Sequence, residues 1–144
     1  MNIAKISKAL FYLIALWCVV VGSFNQTISG TSDFEWIAAA LEGVDVSRFD
    51  PIMAIWAHWI GLFLITAGIA LFFLTRVLLK TTEILIAASV LAFGTIGAQI
   101  FSAISLGASG PLLIVGALVL LCAVAAPILG FMYARTKDVR TKDA

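Results

Sequence analysis

The chain has 144 residues, of which 62% are hydrophobic and 12% are charged, with a formal net charge of +1 and two cysteines. Globular domains hold about 45–50% apolar residues with glycine included and about 25% charged residues, and a small particle leaves much of its surface in water. The composition therefore excludes a soluble globular domain, a disordered chain, a disulfide-stapled secreted domain and a nucleic-acid-binding protein. An integral membrane protein of one domain, residues 1–144, remains.

Four stretches are long and apolar enough to cross a bilayer as helices, which requires about 20 mostly apolar residues. They cover residues 9–24, 51–74, 84–106 and 111–132, and the first is marginal in length. Backbone groups in lipid must be satisfied within the segment, so each stretch is expected to be helical. Pro51 and Pro111 favour helix starts, because proline is tolerated at the first helical position. The expected fold is an all-α bundle of four transmembrane helices.

The basic residues predict the orientation. Eight of the nine lie before the first span, between the second and third spans, or in the tail 135–144. Only Arg48 lies elsewhere, in the connection between the first and second spans. The positive-inside rule makes the basic side cytoplasmic, so both termini are expected there. The first span also fits a signal peptide, with two lysines, an apolar core and the small residues Gly22 and Ser23. Whether this span is ever cleaved stays open at this point.

The outer connection, residues 25–50, contains a predicted short helix over residues 33–42. Phe34, Ile37 and Leu41 recur there at spacings of three and four, which places them on one helix face. Such an amphipathic helix is expected to lie on the outer membrane surface and cover the ends of the bundle. A lid over a cavity and a docking face for a partner are the alternatives.

Small residues predict how the helices pack, because lipid provides no hydrophobic drive for helix association. They recur mostly at intervals of seven residues, which keeps one seam facing a neighbouring helix. The expected seam residues are Ala54, Gly61, Gly68, Gly94, Ala98, Gly116, Ala123 and Gly130. Pro127 is expected to kink the fourth span, because it leaves the carbonyl of Ala123 without its helical partner. Cys18 and Cys122 are expected to be packing residues, with a disulfide across the bundle as the alternative.

Among Asp, Glu, Lys, Arg and His, only His58 falls within the four spans, and an ionisable residue in the membrane is a functional hypothesis by default. Gln99 lies at a similar depth on the third span, on one face with Ser102. The expected contact is a buried hydrogen bond between His58 and Gln99, direct or through Ser102 or water, contributing about 0.6–2 kcal/mol.

Two alternatives give His58 a ligand. Trp56 and Trp59 flank it, and a polar group near aromatic walls suits a quinone, a sterol-like molecule or a lipid head group, although helical geometry points both indoles away from the His58 face. Imidazole is also an axial ligand of tetrapyrroles, with Ala54 leaving room for the ring. Residues 54–59 resemble the chlorophyll-binding segment of the single-span bacterial antenna polypeptides. No span has a cluster of metal ligands or a catalytic arrangement, so an enzyme is not the favoured reading.

The features that carry a family resemblance are the first span, the outer segment ending at residues 49–51, the helix carrying Gly61 and Gly68, and the turn at 105–111. In these features the chain as a whole resembles small bacterial membrane proteins of the DoxX-like type and neighbouring uncharacterised families. The resemblance implies a four-helix protein of the bacterial inner membrane and transfers no catalytic residue. The leading hypothesis is a non-enzymatic accessory or assembly subunit of a respiratory or photosynthetic complex, bound to lipids and to other subunits or a second copy. The alternative is a binder or carrier of a quinone, lipid or pigment in an outer-leaflet pocket around His58.

Overall fold

The computed structural model describes residues 3–29, 51–105 and 111–142. They form four helices, which are α1 (Ile3–Ser29), α2 (Pro51–Val77), α3 (Thr82–Ser105) and α4 (Pro111–Lys142). Each helix contains a segment long and apolar enough to cross a membrane. The predicted all-α architecture of four such helices is confirmed for the described residues. The short helix predicted at 33–42 lies outside them.

The helices extend beyond the predicted spans at their basic ends. The apolar segment of α1 runs over Ile3–Gln26, 24 residues, which is about 36 Å of helix at 1.5 Å per residue. This apolar segment is longer than the span predicted at residues 9–24, and lysine side chains near a helix end can reach water while their stems stay in apolar surroundings. At the other terminus, α4 continues through Pro127 and into the basic tail as far as Lys142.

The four helices run alternately up and down, so the start of α1 and the end of α4 lie at the same end of the bundle. Ser7 Oγ donates to the Ala126 carbonyl at 2.8 Å, and Lys8 Nζ donates to the Arg76 carbonyl at 3.4 Å. We call this the basic end, which carries Lys5, Lys8, Arg76, Lys80 and Arg135. Neighbours in the ring are α1 with α2, α2 with α3, α3 with α4 and α4 with α1, and the contact between α2 and α3 is the smallest of these.

The core lies around α1, which also reaches across the bundle to α3. Phe11 and Ile14 of α1 are fully buried. They pack in a cluster with Ala15, Cys18, Leu71, Leu78, Leu85, Ala88, Ala92, Ile96, Val119, Ala123 and Ala126. Large apolar side chains also cover the outside, including Phe63 of α2. Such a surface suits a lipid environment rather than water.

Glycines bring α1 and α2 so close that a Cβ atom would not fit between them. A Cβ at Gly68 would lie 2.7 Å from the Ala15 carbonyl oxygen, and one at Gly61 would lie 2.9 Å from the Gly22 carbonyl oxygen. The same holds from the side of α1, because a Cβ at Gly22 would lie 2.7 Å from the Gly61 carbonyl oxygen. We call these residues, Ala15, Gly22, Gly61 and Gly68, the α1–α2 seam. Only glycine permits this approach of two backbones.

On α4, the expected small residues also lie at helix contacts. A Cβ at Gly116 would be 3.6 Å from Ile100 Cγ1, an ordinary contact, and Ala123 is fully buried. A Cβ at Gly130 would lie 2.7 Å from Leu85 Cδ1, at the far end of a side chain that can rotate. These positions join α4 to α3 near both ends of their contact.

The seam expected on α3 needs correction. Gly94 and Ala98 lie on the exposed side of this helix, and nothing lies within 4 Å of a Cβ built at Gly94. The buried residues of α3 include Ala88, Ala92 and Ile96 instead. Both sets contain small residues at helical spacing, so the seven-residue interval could not distinguish the inward face from the outward one. The side chain of Ala54, the remaining expected seam residue, lies outside the described part of the structure.

Candidate functional site

A polar contact joins α1 to α3 across the bundle. Trp17 Nε1 donates to Gln99 Oε1 at 3.1 Å. Because the indole N–H can only donate, the amide oxygen of Gln99 must face Trp17, and this fixes the orientation of the amide. Its nitrogen therefore points elsewhere. Gln99 Nε2 is buried and has no hydrogen-bond partner among the described residues.

A second polar contact between the same two helices lies next to the first. Cys18 Sγ is 3.7 Å from Thr95 Oγ1, and that hydroxyl donates to the Leu91 carbonyl at 2.7 Å. The thiol is therefore the donor to Thr95. Cys18 and Cys122 are both free cysteines, so the disulfide alternative is not formed. We call Trp17, Cys18, Thr95 and Gln99 the polar cluster.

His58 does not meet Gln99 in the bundle. Its side chain is exposed, and its carbonyl accepts a hydrogen bond from Gln26 Nε2 at 2.6 Å. His58 precedes Phe72 by two heptads, and Phe72 is 42% exposed, whereas the inward-facing Leu71 is 1% exposed. Helix geometry thus puts His58 beside the α1–α2 seam but on its outward edge. The expected direct hydrogen bond between His58 and Gln99 is therefore wrong, and Gln99 pairs with Trp17 instead.

Only some residues of the expected pocket have described side chains. Trp59 is 64% exposed on the outside of α2, and the side chains of Trp56 and Ser102 lie outside the described residues. Sequence reasoning missed Trp17 as a partner of Gln99, although both lie in the half of their spans away from the basic end. The sequence indicated only that Trp17, His58 and Gln99 lie at similar depths along their spans. Depth alone could not decide which of Trp17 and His58 pairs with Gln99. Within the described ranges, no group of three or more His, Cys, Asp or Glu could hold a metal ion.

The outward side of α3 forms a second distinctive feature. Ala87, Gly94 and Ala98 are exposed there, and we call them the small-residue face of α3. A Cβ at Gly97, next to this face, also meets nothing within 4 Å. Gly94 and Ala98 form a small-xxx-small pair, the spacing that lets helix backbones approach closely in membranes.

Chemically, the polar cluster can donate and accept hydrogen bonds, and the small-residue face can receive another helix. Neither arrangement places a base against a nucleophile. The DoxX-like resemblance remains an expectation from the sequence. Comparisons with protein-family models, with curated proteins and with solved structures find no match to this chain.

Proposed function

We propose that this protein is a non-enzymatic accessory or assembly subunit that joins a larger membrane complex through the small-residue face of α3. One observation carries the proposal, which is that Gly94 and Ala98 are exposed at a spacing suited to close helix contact. In the α1–α2 seam the same chain uses glycine where two backbones approach. On α3 the equivalent residues face outward, where a helix of another subunit could occupy the space.

The surroundings of this face support an apolar helix as the partner. Val90 and Phe101, which flank the face on α3, are 67% and 74% exposed. Large side chains beside a groove of small ones provide ridges and holes for a neighbouring helix. Between Glu83 and the end of α3 the sequence has no charged residue, so van der Waals contact would provide most of the attraction.

For orientation, we propose that the basic end faces the cytoplasm of a bacterial cell. The support is the positive-inside rule, together with the position of Lys8, Arg76 and Arg135 at one end of the bundle. The complex would then meet α3 within the inner membrane.

Replacing Gly94 tests the docking proposal. Gly94→Ile fills the groove with a branched side chain, whereas Ala117→Ile makes a comparable change at an exposed position of α4. After extraction in mild detergent, we expect wild type and Ala117→Ile to co-purify with the same membrane subunit or a second copy, identified by mass spectrometry and light scattering. Gly94→Ile should lose this partner and keep the helical circular dichroism and melting temperature of the wild type.

Two results would contradict the docking proposal. One is a wild-type protein that purifies alone as a stable monomer. The other is equal retention of the partner by Gly94→Ile and wild type.

The second candidate function is binding of an apolar molecule that bears a carbonyl or ester oxygen, such as a quinone or a lipid. The supporting observation is Gln99 Nε2, a buried amide nitrogen without a partner in the described structure. Leaving such a donor unsatisfied is unfavourable by about 1–3 kcal/mol, so a ligand acceptor there would be stabilised. This moves the candidate pocket from His58 to the polar cluster.

Gln99→Met tests the ligand candidate, because methionine has a similar shape and cannot donate a hydrogen bond. Native mass spectrometry of the gently purified wild type should show a bound quinone or lipid. Gln99→Met should lose it, and Trp59→Phe, a change on the outer surface of α2, should keep it. Wild-type protein free of any such molecule, or equal occupancy in Gln99→Met, would refute this function.

An absorption spectrum without a visible band would likewise refute the tetrapyrrole hypothesis for His58.

A further inference from the structure

Two basic residues, Lys8 and Arg76, lie next to each other at the edge of the α1–α2 contact, at the basic end. Lys8 Nζ of α1 donates to the Arg76 carbonyl oxygen at 3.4 Å. The Arg76 guanidinium carbon lies 5.0 Å from the ring centroid of Phe72 and 5.6 Å from that of Phe73. Cation–π contacts of this kind hold a guanidinium against an aromatic surface. The Lys8 ammonium thus lies against the Arg76 backbone, and the Arg76 guanidinium lies over Phe72 and Phe73.

Neither cation is neutralised by the described part of the chain. Glu83 is the one carboxylate whose side chain is described; it is engaged at the start of α3 by Thr81 and by backbone, and no salt bridge joins it to Lys8 or Arg76. Two like charges on adjacent helices repel each other, and an anion bound to both would relieve that repulsion. The pair is thus suited to an external anion.

The surface next to the pair is apolar and aromatic. Tyr12, one turn beyond Lys8, packs its ring 5.2 Å from the ring of Phe72, one turn before Arg76. Phe72 and Phe73 are 42% and 58% exposed. Moving away from the basic end, a molecule on this surface would meet charge first and then aromatic rings. This order matches a lipid, with its phosphate at the boundary and its acyl chains below.

We propose that Lys8 and Arg76 bind the phosphate of an anionic lipid, whose acyl chains lie against Tyr12, Phe72 and Phe73. A guanidinium can donate two parallel hydrogen bonds to a phosphate, and the lysine ammonium adds a compact charge beside it. Anionic lipids give the cytoplasmic leaflet its negative potential, and the positive-inside rule places the basic end in that leaflet. The site is independent of the small-residue face and of the polar cluster.

Lipid titration of the full-length protein in micelles of a neutral detergent tests the site. Phosphatidylglycerol and phosphatidylcholine with identical acyl chains are compared by native mass spectrometry, with inorganic phosphate as a third ligand. We expect phosphatidylglycerol to bind at least about fivefold more tightly than phosphatidylcholine. Lys8→Gln and Arg76→Gln should each weaken its binding about fivefold, since one basic residue near an anionic surface contributes about 1 kcal/mol.

Lys80→Gln is the matched control, because Lys80 is an exposed cation at the same end and has none of these contacts. It should change the affinity less than about twofold. Lys8→Met removes the charge and keeps the aliphatic stem, so it decides the question should Arg76→Gln fail to fold. Equal binding of the two lipids would overturn the proposal, as would equal effects of Lys80→Gln and Lys8→Gln. Displacement of the lipid by millimolar phosphate alone would also overturn it, since the site would then be one for a small anion.

Discussion

Gly68→Ala is expected to lower the free energy of unfolding of the bundle by about 1–3 kcal/mol, and Gly68→Val by more. The new Cβ would lie 2.7 Å from the Ala15 carbonyl oxygen and 2.8 Å from Val19 Cγ2. A backbone carbonyl cannot rotate out of the way as the end of a side chain can, so α1 and α2 must move apart. The loss of contact then spreads along the seam. Denaturant unfolding in detergent micelles, followed by helical circular dichroism, measures the change.

Gly94→Ala is the control for this experiment. Nothing lies within 4 Å of a Cβ at Gly94, so the bundle should lose no stability and could gain up to about 1 kcal/mol from the higher helix propensity of alanine. Gly130→Ala should fall between the two, because its close neighbour is the rotatable end of Leu85. Equal free energies of unfolding for Gly68→Ala and Gly94→Ala would show that the α1–α2 seam does not limit stability.

Trp17→Phe should destabilise the protein by about 1–2 kcal/mol, because Gln99 Oε1 then loses its donor and neither polar atom of the amide has a partner among the described residues. Gln99→Met should lower the free energy of unfolding by less than Trp17→Phe does. It leaves one indole N–H unsatisfied, but it also removes the amide nitrogen that has no partner in the described structure. Unfolding of each variant in micelles gives the two values.

The double variant Trp17→Phe/Gln99→Met should be close to the wild type, because neither polar group remains. Replacing both members of a buried pair with apolar groups of similar shape is often nearly neutral. The singles and the double together form a double-mutant cycle, which isolates the coupling between Trp17 and Gln99. Additive effects in that cycle would mean that the 3.1 Å contact contributes nothing to stability.

The number and approximate extent of the helices follow from apolar composition, because a span needs length and few charges. The rotation of each helix about its axis does not follow from the same information. On α3, Ala88 and Ala92 on one face compete with Gly94 and Ala98 on the other, and lipid gives no hydrophobic penalty that would identify the outward face. Only contact with the other helices decides between them.

The candidate site shows the same limit. Depth along a span places His58 and Gln99 at one level, but it says nothing about whether a side chain points inward. His58 lies on the outward edge of the seam, and Trp17 reaches Gln99 instead. Of the glycines at which α1 and α2 approach, the sequence indicated only those on α2. Gly61 and Gly68 were recognisable by their interval, but Gly22 was not, because its partner surface exists only after folding.

The position of α1 has a consequence for the order in which the molecule is completed. Among the described helices, α1 has the most extensive contacts with the others, and the Ser7 Oγ–Ala126 carbonyl bond spans 119 residues of sequence. During synthesis the α1–α2 hairpin can close as soon as α2 is made, but the surface of α1 that holds Ser7 must wait for α4. Contacts so distant in sequence form slowly. An unfinished chain therefore presents an open flank that a chaperone or another subunit can meet first.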